Sequence, residues 1–390
     1  MEIRCGEILV PNKNVDLQKW AVVSCDQFTT DKEYWDSLRN IDETIPTTAK
    51  LVVPEVYLPL EDEEGEIKKV QQEMQRYIDE KIFDAITKNA VCVQRTFPSG
   101  NKRVGIVCEI DLEEYSFNLA DKARIRSTEK INENKVETRV KVRKGAPLEL
   151  PHILIFADDA EGVLIPREID ASQEEIYSFK GQKNAGEIKG ALVPSKRILR
   201  GFKKYKKHMK KKYPSDDILF LVGDGNHSLV AAKICWEEIK KGLTEKEKKN
   251  HNARYALCEI VDINRLETFE PINRILTNVD KAKVKEFFGS EQKVIDCTRQ
   301  AGKDKIEALL DVDKKIAEFL GINPKAKKEY IYSQEEIEKS DDKSSVVFLV
   351  PTIERSELFS YCIEHGNLPE KTFSIGIGEE KRYYLEAKRI

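Results

Sequence analysis

Ile218-Leu219-Phe220-Leu221-Val222-Gly223-Asp224-Gly225-Asn226-His227-Ser228 is the stretch on which the reading of this chain turns. Five consecutive apolar residues form the short run expected of a strand buried in a sheet, and a Gly-Asp-Gly turn closes it. Residues 228–241 are apolar and rich in Ala, Val and Ile, so a helix follows at once. Strand feeding helix is the repeating unit of α/β architectures. The two glycines admit positive φ and close approach of a ligand to the backbone. A new helix presents N–H groups and the positive end of its dipole, which suits phosphate. His227 and Ser228 bring side-chain donors to the same place, and Asp224 suits either Mg2+ or a helix cap. The same residues also fit a purely structural cap, and the local pattern leaves both readings open.

Working outward, strand and helix signals keep alternating. Residues 19–25 read as a short buried strand, followed by the turn Asp26-Gln27-Phe28-Thr29-Thr30 and a helix from near Asp31. Val70, Met74, Tyr77, Ile78 and Ile82 predict a helix over about 66–88. Apolar runs at 91–96 and 104–112 flank Pro98-Ser99-Gly100-Asn101 and predict a hairpin. Residues 150–156 and 256–261 read as strands, and 279–320 as mainly helical. The stretch 195–212 carries ten Lys or Arg residues, with Ile198, Phe202, Tyr205 and Met209 at helical spacing. That pattern is an amphipathic helix with a solvated basic face. The expected fold class is α/β, mixed with α+β, in a multidomain chain.

Bulk properties narrow the function. A length of 390 residues suggests two or three domains. Sixty-six basic against 69 acidic residues leave a net charge of −3, which argues against a general nucleic-acid binder. The closest cysteines, Cys92 and Cys108, stand too far apart for C-x-x-C, and no H-E-x-x-H occurs. Zinc-ribbon, thioredoxin-type and histidine-rich metal sites are thereby disfavoured. No apolar run approaches the ~18 residues needed to span a bilayer, and no secretory h-region opens the chain, so a cytoplasmic location is expected. Cys25 sits beside Asp26 and invites a nucleophile reading, but a packed thiol is favoured. There is no Walker A motif.

Four segments carry a family resemblance: Trp20-Ala21-Val22-Val23-Ser24-Cys25-Asp26-Gln27-Phe28-Thr29, Ala146-Pro147-Leu148-Glu149-Leu150-Pro151-His152, Gly223-Asp224-Gly225-Asn226-His227-Ser228, and Pro369-Glu370-Lys371-Thr372-Phe373-Ser374. In order and across nearly the whole chain, they resemble the "domain of unknown function 1015" family. Many relatives have Asp-Gly-His-His-Arg at the position of Asp224–Ser228, a motif similar to that of the archaeal free-serine kinases of the ParB/sulfiredoxin-like superfamily. In those enzymes it follows a strand, opens a helix and binds nucleotide phosphates. Their upstream His-Glu motif, whose Glu is the proposed base, resembles Arg126-Ser127-Thr128-Glu129, with Thr128 in place of the histidine. Two departures stand out: Asn226 replaces a histidine and Ser228 an arginine. Arg274, in Pro271-Ile272-Asn273-Arg274, matches a Pro-Thr-His-Arg segment of other relatives.

The resemblance implies three regions: an N-terminal α/β region at 1–120, a ParB/sulfiredoxin-like phosphate-binding unit at 121–262, and a C-terminal α/β region at 263–390. It implies a kinase or phosphotransferase using Mg2+ and ATP or ADP on a hydroxyl-bearing metabolite. Glu129, His227 and Asp224 are the expected catalytic residues, with Asp224 on the metal. Gly225, Asn226 and Ser228 hold phosphate, and Arg124, Arg126 or Arg274 restores the missing cation. Asp26 and Gln27 face the substrate. The expected partners are a small molecule and a nucleotide, with no membrane and no nucleic acid; a homo-oligomer stays open. Two other readings stay open as well: a non-catalytic ParB-like regulatory or scaffold protein, and a phosphoester or nucleotide hydrolase.

Overall fold

The apolar runs gather into one large mixed sheet in a computed structural model that describes residues 2–29, 31–118, 121–132, 134–300, 302–332, 334–340, 343–376 and 378–390. The chain divides into two units: Met1–Glu267 together with Gly378–Ile390, and Thr268–Ile377.

The first unit carries the sheet. Its strands are β1 (Ile3–Arg4), β2 (Asn89–Thr96), β3 (Lys102–Asp111), β4 (Tyr115–Ser116), β5 (Ile125–Ser127), β6 (Leu154–Ala157), β7 (Glu175–Lys180), β8 (Glu187–Pro194), β9 (Phe220–Asp224) and β10 (Tyr255–Asp262). The order is β7-β8-β2-β3-β10-β6-β9-β5-β4, with β1 added on β3. β6–β10, β9–β5 and β5–β4 run parallel, and the other pairs antiparallel. All eight residues of β10 are buried, as a strand covered on both faces requires.

Helices cover the sheet: α1 (Lys32–Arg39), α2 (Glu63–Asp79), α3 (Asn134–Arg143), α4 (Ser195–Lys212) and α5 (Asn226–Ile239). Asp31 and Asp62 cap α1 and α2 by accepting from Tyr34 and Gly65 N–H. α4 buries Ile198, Phe202, Tyr205 and Met209, the stripe read from its spacing. Trp20, Trp35, Met74 and Tyr77 centre the core beneath α1 and α2. No helix among the described residues is long and apolar enough to cross a membrane.

The second unit has a four-stranded sheet, Val294–Asp296, Val346–Leu349, Asn273–Thr277 and Lys327–Ile331 in spatial order. Its long helix, α6 (Lys305–Ile322), opens on an Asp304–Glu307 capping box.

Several expectations differ from this fold. The helix expected across 279–320 is interrupted: Gly289 at φ +74° ends the helix Lys281–Phe288, and a strand intervenes before α6. α2 stops at Asp79 because Lys81 turns at φ +57° into the strand Phe83–Ile86. Boundaries at 120/121 and 262/263 do not follow the observed units. β2 and β3 pair with β8 and β10 from beyond residue 121, so one sheet unites both expected regions. Residues 378–390 rejoin the first unit, where Tyr383–Tyr384 pairs with Val22–Val23.

Candidate functional site

Strand directions create the site. β9 lies parallel to β5, with Val222 opposite Ser127, and antiparallel to β6, with Asp224 opposite Leu154. The exits of β5 and β9 and the entry to β6 therefore meet at one sheet edge. Carboxyl ends of parallel strands are where α/β sheets characteristically bind ligands.

The turn is built to a narrow tolerance. Gly225 sits at φ +75°, and a Cβ there would lie 3.0 Å from both Cα and Cγ1 of Ile153. At Gly223 a Cβ would fall 2.2 Å from the Phe156 ring, so the sheet leaves no room for a side chain. Gly225 is the N-cap of α5, and no side chain caps that helix start. Asp224 Oδ1 instead accepts the Gly225 N–H at 2.8 Å, and its Oδ2 faces Lys381 Nζ at 3.3 Å. Asn226 is 9% exposed, and its Oδ1 has no hydrogen-bond partner among the described residues. A buried acceptor of this kind is uncommon and calls for a donor.

The segment after β5 is tied to the turn at two points. The fully buried Thr128 hydroxyl donates to Val222 O at 2.7 Å, and the Asn132 N–H donates to His227 Nε2 at 3.2 Å. That second bond leaves the neutral His227 ring's own proton on Nδ1. Glu129, half-buried, lies between these ties. Parallel pairing thus brings the residues around Glu129 against the Asp224–His227 turn.

A second group flanks the turn through Pro151-His152-Ile153, which leads into β6. His152 is 5% exposed, with Nε2 3.5 Å from Ser228 Oγ and its ring edge-on to Tyr384 at 5.3 Å. Burial holds its imidazole below the ordinary value of 6.5, against the pull of Asp26 and Asp224, so the ring is neutral. The Cys25 N–H donates to the Tyr384 hydroxyl at 3.2 Å. Burial pushes the Cys25 thiol up to about 11, which makes it a packed thiol rather than a nucleophile. Asp26 shares this neighbourhood with Arg139 and Glu55, which pair with each other. Gln27 contributes its carbonyl to the Trp35 indole at 3.1 Å.

Three arginines expected to restore the missing cation are engaged elsewhere. Arg126 pairs with Asp216 at 2.6 Å and donates to Ala123 O. Both partners precede their strands, so the guanidinium points to the sheet edge opposite the turn. Arg124 pairs with Glu2 at 2.7 Å. Arg274 belongs to the second unit, is fully buried, and is held by Asp313 at 2.7 Å and by the Ile272 and Lys371 carbonyls. Arg124 and Arg126 are held by partners away from the turn, and Arg274 is committed to partners within the second unit. The cation beside Asp224 is Lys381, from the far end of the chain, and nothing local in the sequence marks it. His152 did carry a signal: it closes the Ala146–His152 segment. Arg139 and Tyr384 carried none.

No group of three or more His, Cys, Asp or Glu residues is gathered as a metal site among the described residues. Asp224 is the one carboxylate of the turn, and its side chain is about one-fifth exposed. That donor set fits only a Mg2+ that brings its remaining oxygens as water and phosphate, which is this ion's usual mode of binding.

The family described as "Protein of unknown function (DUF1015)" matches residues 9–387, and the chain belongs to it. No curated protein is matched. Among solved structures, a free serine kinase variant in complex with ADP is similar at 10% identity and a TM-score of 0.38, over 72% of this chain and 91% of that one. A C-terminally truncated SbnI from Staphylococcus aureus is similar at 8% identity and 0.34, over 69% and 83%. A conserved hypothetical protein from Pyrococcus furiosus is similar at 11% identity and 0.35, over 73% and 94%.

Proposed function

We propose that this DUF1015 protein is a nucleotide-dependent phosphotransferase acting on a hydroxyl-bearing small molecule. One observation supports this reading most: a single sheet edge gathers an uncapped helix start, the Asp224–Lys381 pair, and the Thr128–Asn132 segment that carries Glu129. Phosphoryl transfer asks a protein for positioning and charge more than for covalent chemistry.

In this reading the start of α5 receives phosphate oxygens through backbone N–H groups and its positive dipole end. Lys381 adds a full charge, and His227 orients a hydrogen bond at the same edge. The bond between the transferred phosphorus and the nucleotide's bridging oxygen breaks as a bond to the acceptor oxygen forms. The acceptor's hydroxyl proton passes to the Glu129 carboxylate, and the shortened nucleotide leaves. ATP and ADP both satisfy this scheme. Mg2+ arriving with the nucleotide would meet Asp224 and would neutralise phosphate charge.

The test is phosphorylation of a panel of hydroxyl metabolites with ATP or ADP, with melting curves for each variant. Asp224→Asn and His227→Ala are expected to lower transfer by ~10²-fold or more while the protein stays folded. Glu129→Gln is expected to keep nucleotide binding and lose turnover. Full activity in all three variants would overturn the assignment. A wild type that binds nucleotide without transfer supports the ParB-like regulatory reading, and transfer to water alone supports the hydrolase.

A further inference from the structure

Beside the turn lies a cavity of about 120 Å3, wholly within the first unit. Its wall is mostly apolar and includes Val52, Met74, Val142, Ala146, Ala231 and Leu257. Its polar lining includes His152 and Ser228, the pair that borders the turn, besides Arg139, Arg143 and Glu149. The cationic side chains on its wall have carboxylate counter-charges: Arg139 donates to Glu55, and Arg143 forms an ion pair with Glu149 at 2.5 Å, although Arg143 Nη2 has no directed hydrogen-bond acceptor among the described residues. His152 is neutral and the Cys25 thiol is protonated. A guest in this cavity meets no uncompensated charge.

Resting on the phosphotransferase reading, we infer that the acceptor is a neutral alcohol with a compact apolar body, seated in this cavity with its hydroxyl toward His152 and Ser228. A zwitterionic amino acid would have to lose the hydration of two charges against a mostly apolar wall whose charged side chains already hold counter-charges, an expensive transfer. Size limits the guest as well. The 120 Å3 volume is close to the ~150 Å3 void that accepts benzene, so a ring or a chain of about five carbons fits. The helix start lies on the hydroxyl side of the cavity, because Ser228 belongs both to the cavity wall and to the first turn of α5. The reacting oxygen is thereby set at the phosphate end and the apolar body away from it.

The experiment uses the full chain with ADP or ATP and a graded series: ethanol to n-hexanol, benzyl alcohol, and free serine. Binding is read by ligand-observed NMR in the presence of ADP, and transfer by phosphate-ester formation. Binding is expected to tighten by about tenfold per added methylene up to about five carbons and then to level off, with serine unbound. Ala231→Leu, which adds three carbons to the wall, is expected to weaken pentanol binding tenfold or more, with ADP-induced stabilisation kept. Met74→Ala, which widens the cavity, is expected to move the optimum to a longer chain, and it serves if Ala231→Leu fails to fold. Alcohol binding that follows this pattern without transfer sustains the cavity assignment and sinks the kinase reading. Transfer to serine, or chain-length-independent binding unaffected by both variants, overturns the cavity assignment and leaves the kinase reading intact.

Discussion

Gly225→Ala separates a structural turn from a built one, and its effect can be worked out in advance. At φ +75° an L-residue pays ~1–2 kcal/mol for the left-handed backbone. The new Cβ would sit 3.0 Å from Ile153 Cα and Cγ1, and forcing such a contact apart adds ~1 kcal/mol. Alanine restricts the unfolded chain, which returns ~0.4–1 kcal/mol. The net is a destabilisation of about 2 kcal/mol. Trp20, Trp35 and Trp236, the chain's three tryptophans, all lie in the first unit, so tryptophan fluorescence during urea unfolding reports that unit alone. Gly242→Ala is the matched control: its Cβ would meet nothing within 4 Å and its φ is not positive, so its change should stay within about 0.5 kcal/mol. Ile153 also accepts the Glu259 N–H at 3.0 Å, so its backbone cannot yield freely. The displaced turn should therefore weaken ADP binding by about tenfold to a hundredfold, the usual consequence of an ångström-scale misplacement. Equal stability for the two alanine variants, together with unchanged ADP binding, would refute the reasoning.

Lys381→Gln removes the ammonium from Asp224. It should cost ~1–3 kcal/mol of stability, because the Lys381 ammonium is buried while Asp224 keeps about one-fifth of its side chain in solvent, and it should lower ADP affinity tenfold or more and flatten its salt dependence, measured by calorimetry at two ionic strengths. His152, whose folded pKa is depressed by burial, contributes a pH term of definite sign. Below about pH 6.5 the unfolded chain takes up a proton that the folded chain resists. Wild-type stability should therefore fall as pH drops through that window, and His152→Gln should lack that share of the slope in urea titrations from pH 7.5 to 5. On α4, Lys203→Glu and Lys207→Glu should each change stability by less than about 0.5 kcal/mol, and wild type should show no retention of duplex DNA at about 0.15 M salt, checked by mobility shift.

The residues that declared themselves in the sequence are those whose signal is local. Phe220–Asp224 and α5 followed from an apolar run, two glycines and an apolar helix. The hairpin of β2 and β3 followed from apolar runs around a Pro-Gly turn, and the buried face of α4 from its spacing. Hidden elements lacked such patterns. β7 and β8 alternate charged and apolar residues weakly, with Glu175, Lys180 and Glu187 exposed. Gly289 was read through as helix although it ends one. For the site, Asp224, Gly225 and His227 stood in one motif. Lys381 and Tyr384 did not, because strand pairing near Val22–Val23 brings them in from more than 150 residues away in sequence. The arginines illustrate the converse: positive charge is visible in a sequence, but its partner is not, and Arg126, Arg124 and Arg274 each have one.

The position of Lys381 rests on anchors that the Asp224–Ser228 turn does not itself supply. Its neighbour Arg382 is almost fully buried between Glu259, at 2.8 Å, and Glu386. Lys388, 2% exposed, lies 3.3 Å from both Glu109 and Glu149. Removing one member of such a pair strands a buried charge, at ~3–5 kcal/mol. The terminal segment is thus held by ion pairs it would be costly to break, and Lys381 is carried to the turn as a consequence. An arginine at position 228 would grip phosphate through a planar two-pronged fork, whereas a lysine offers a compact, strongly hydrated point charge. A turn served by Lys381 should therefore attract phosphate as readily through space but constrain its orientation less, leaving alignment to the α5 backbone and to Gly225.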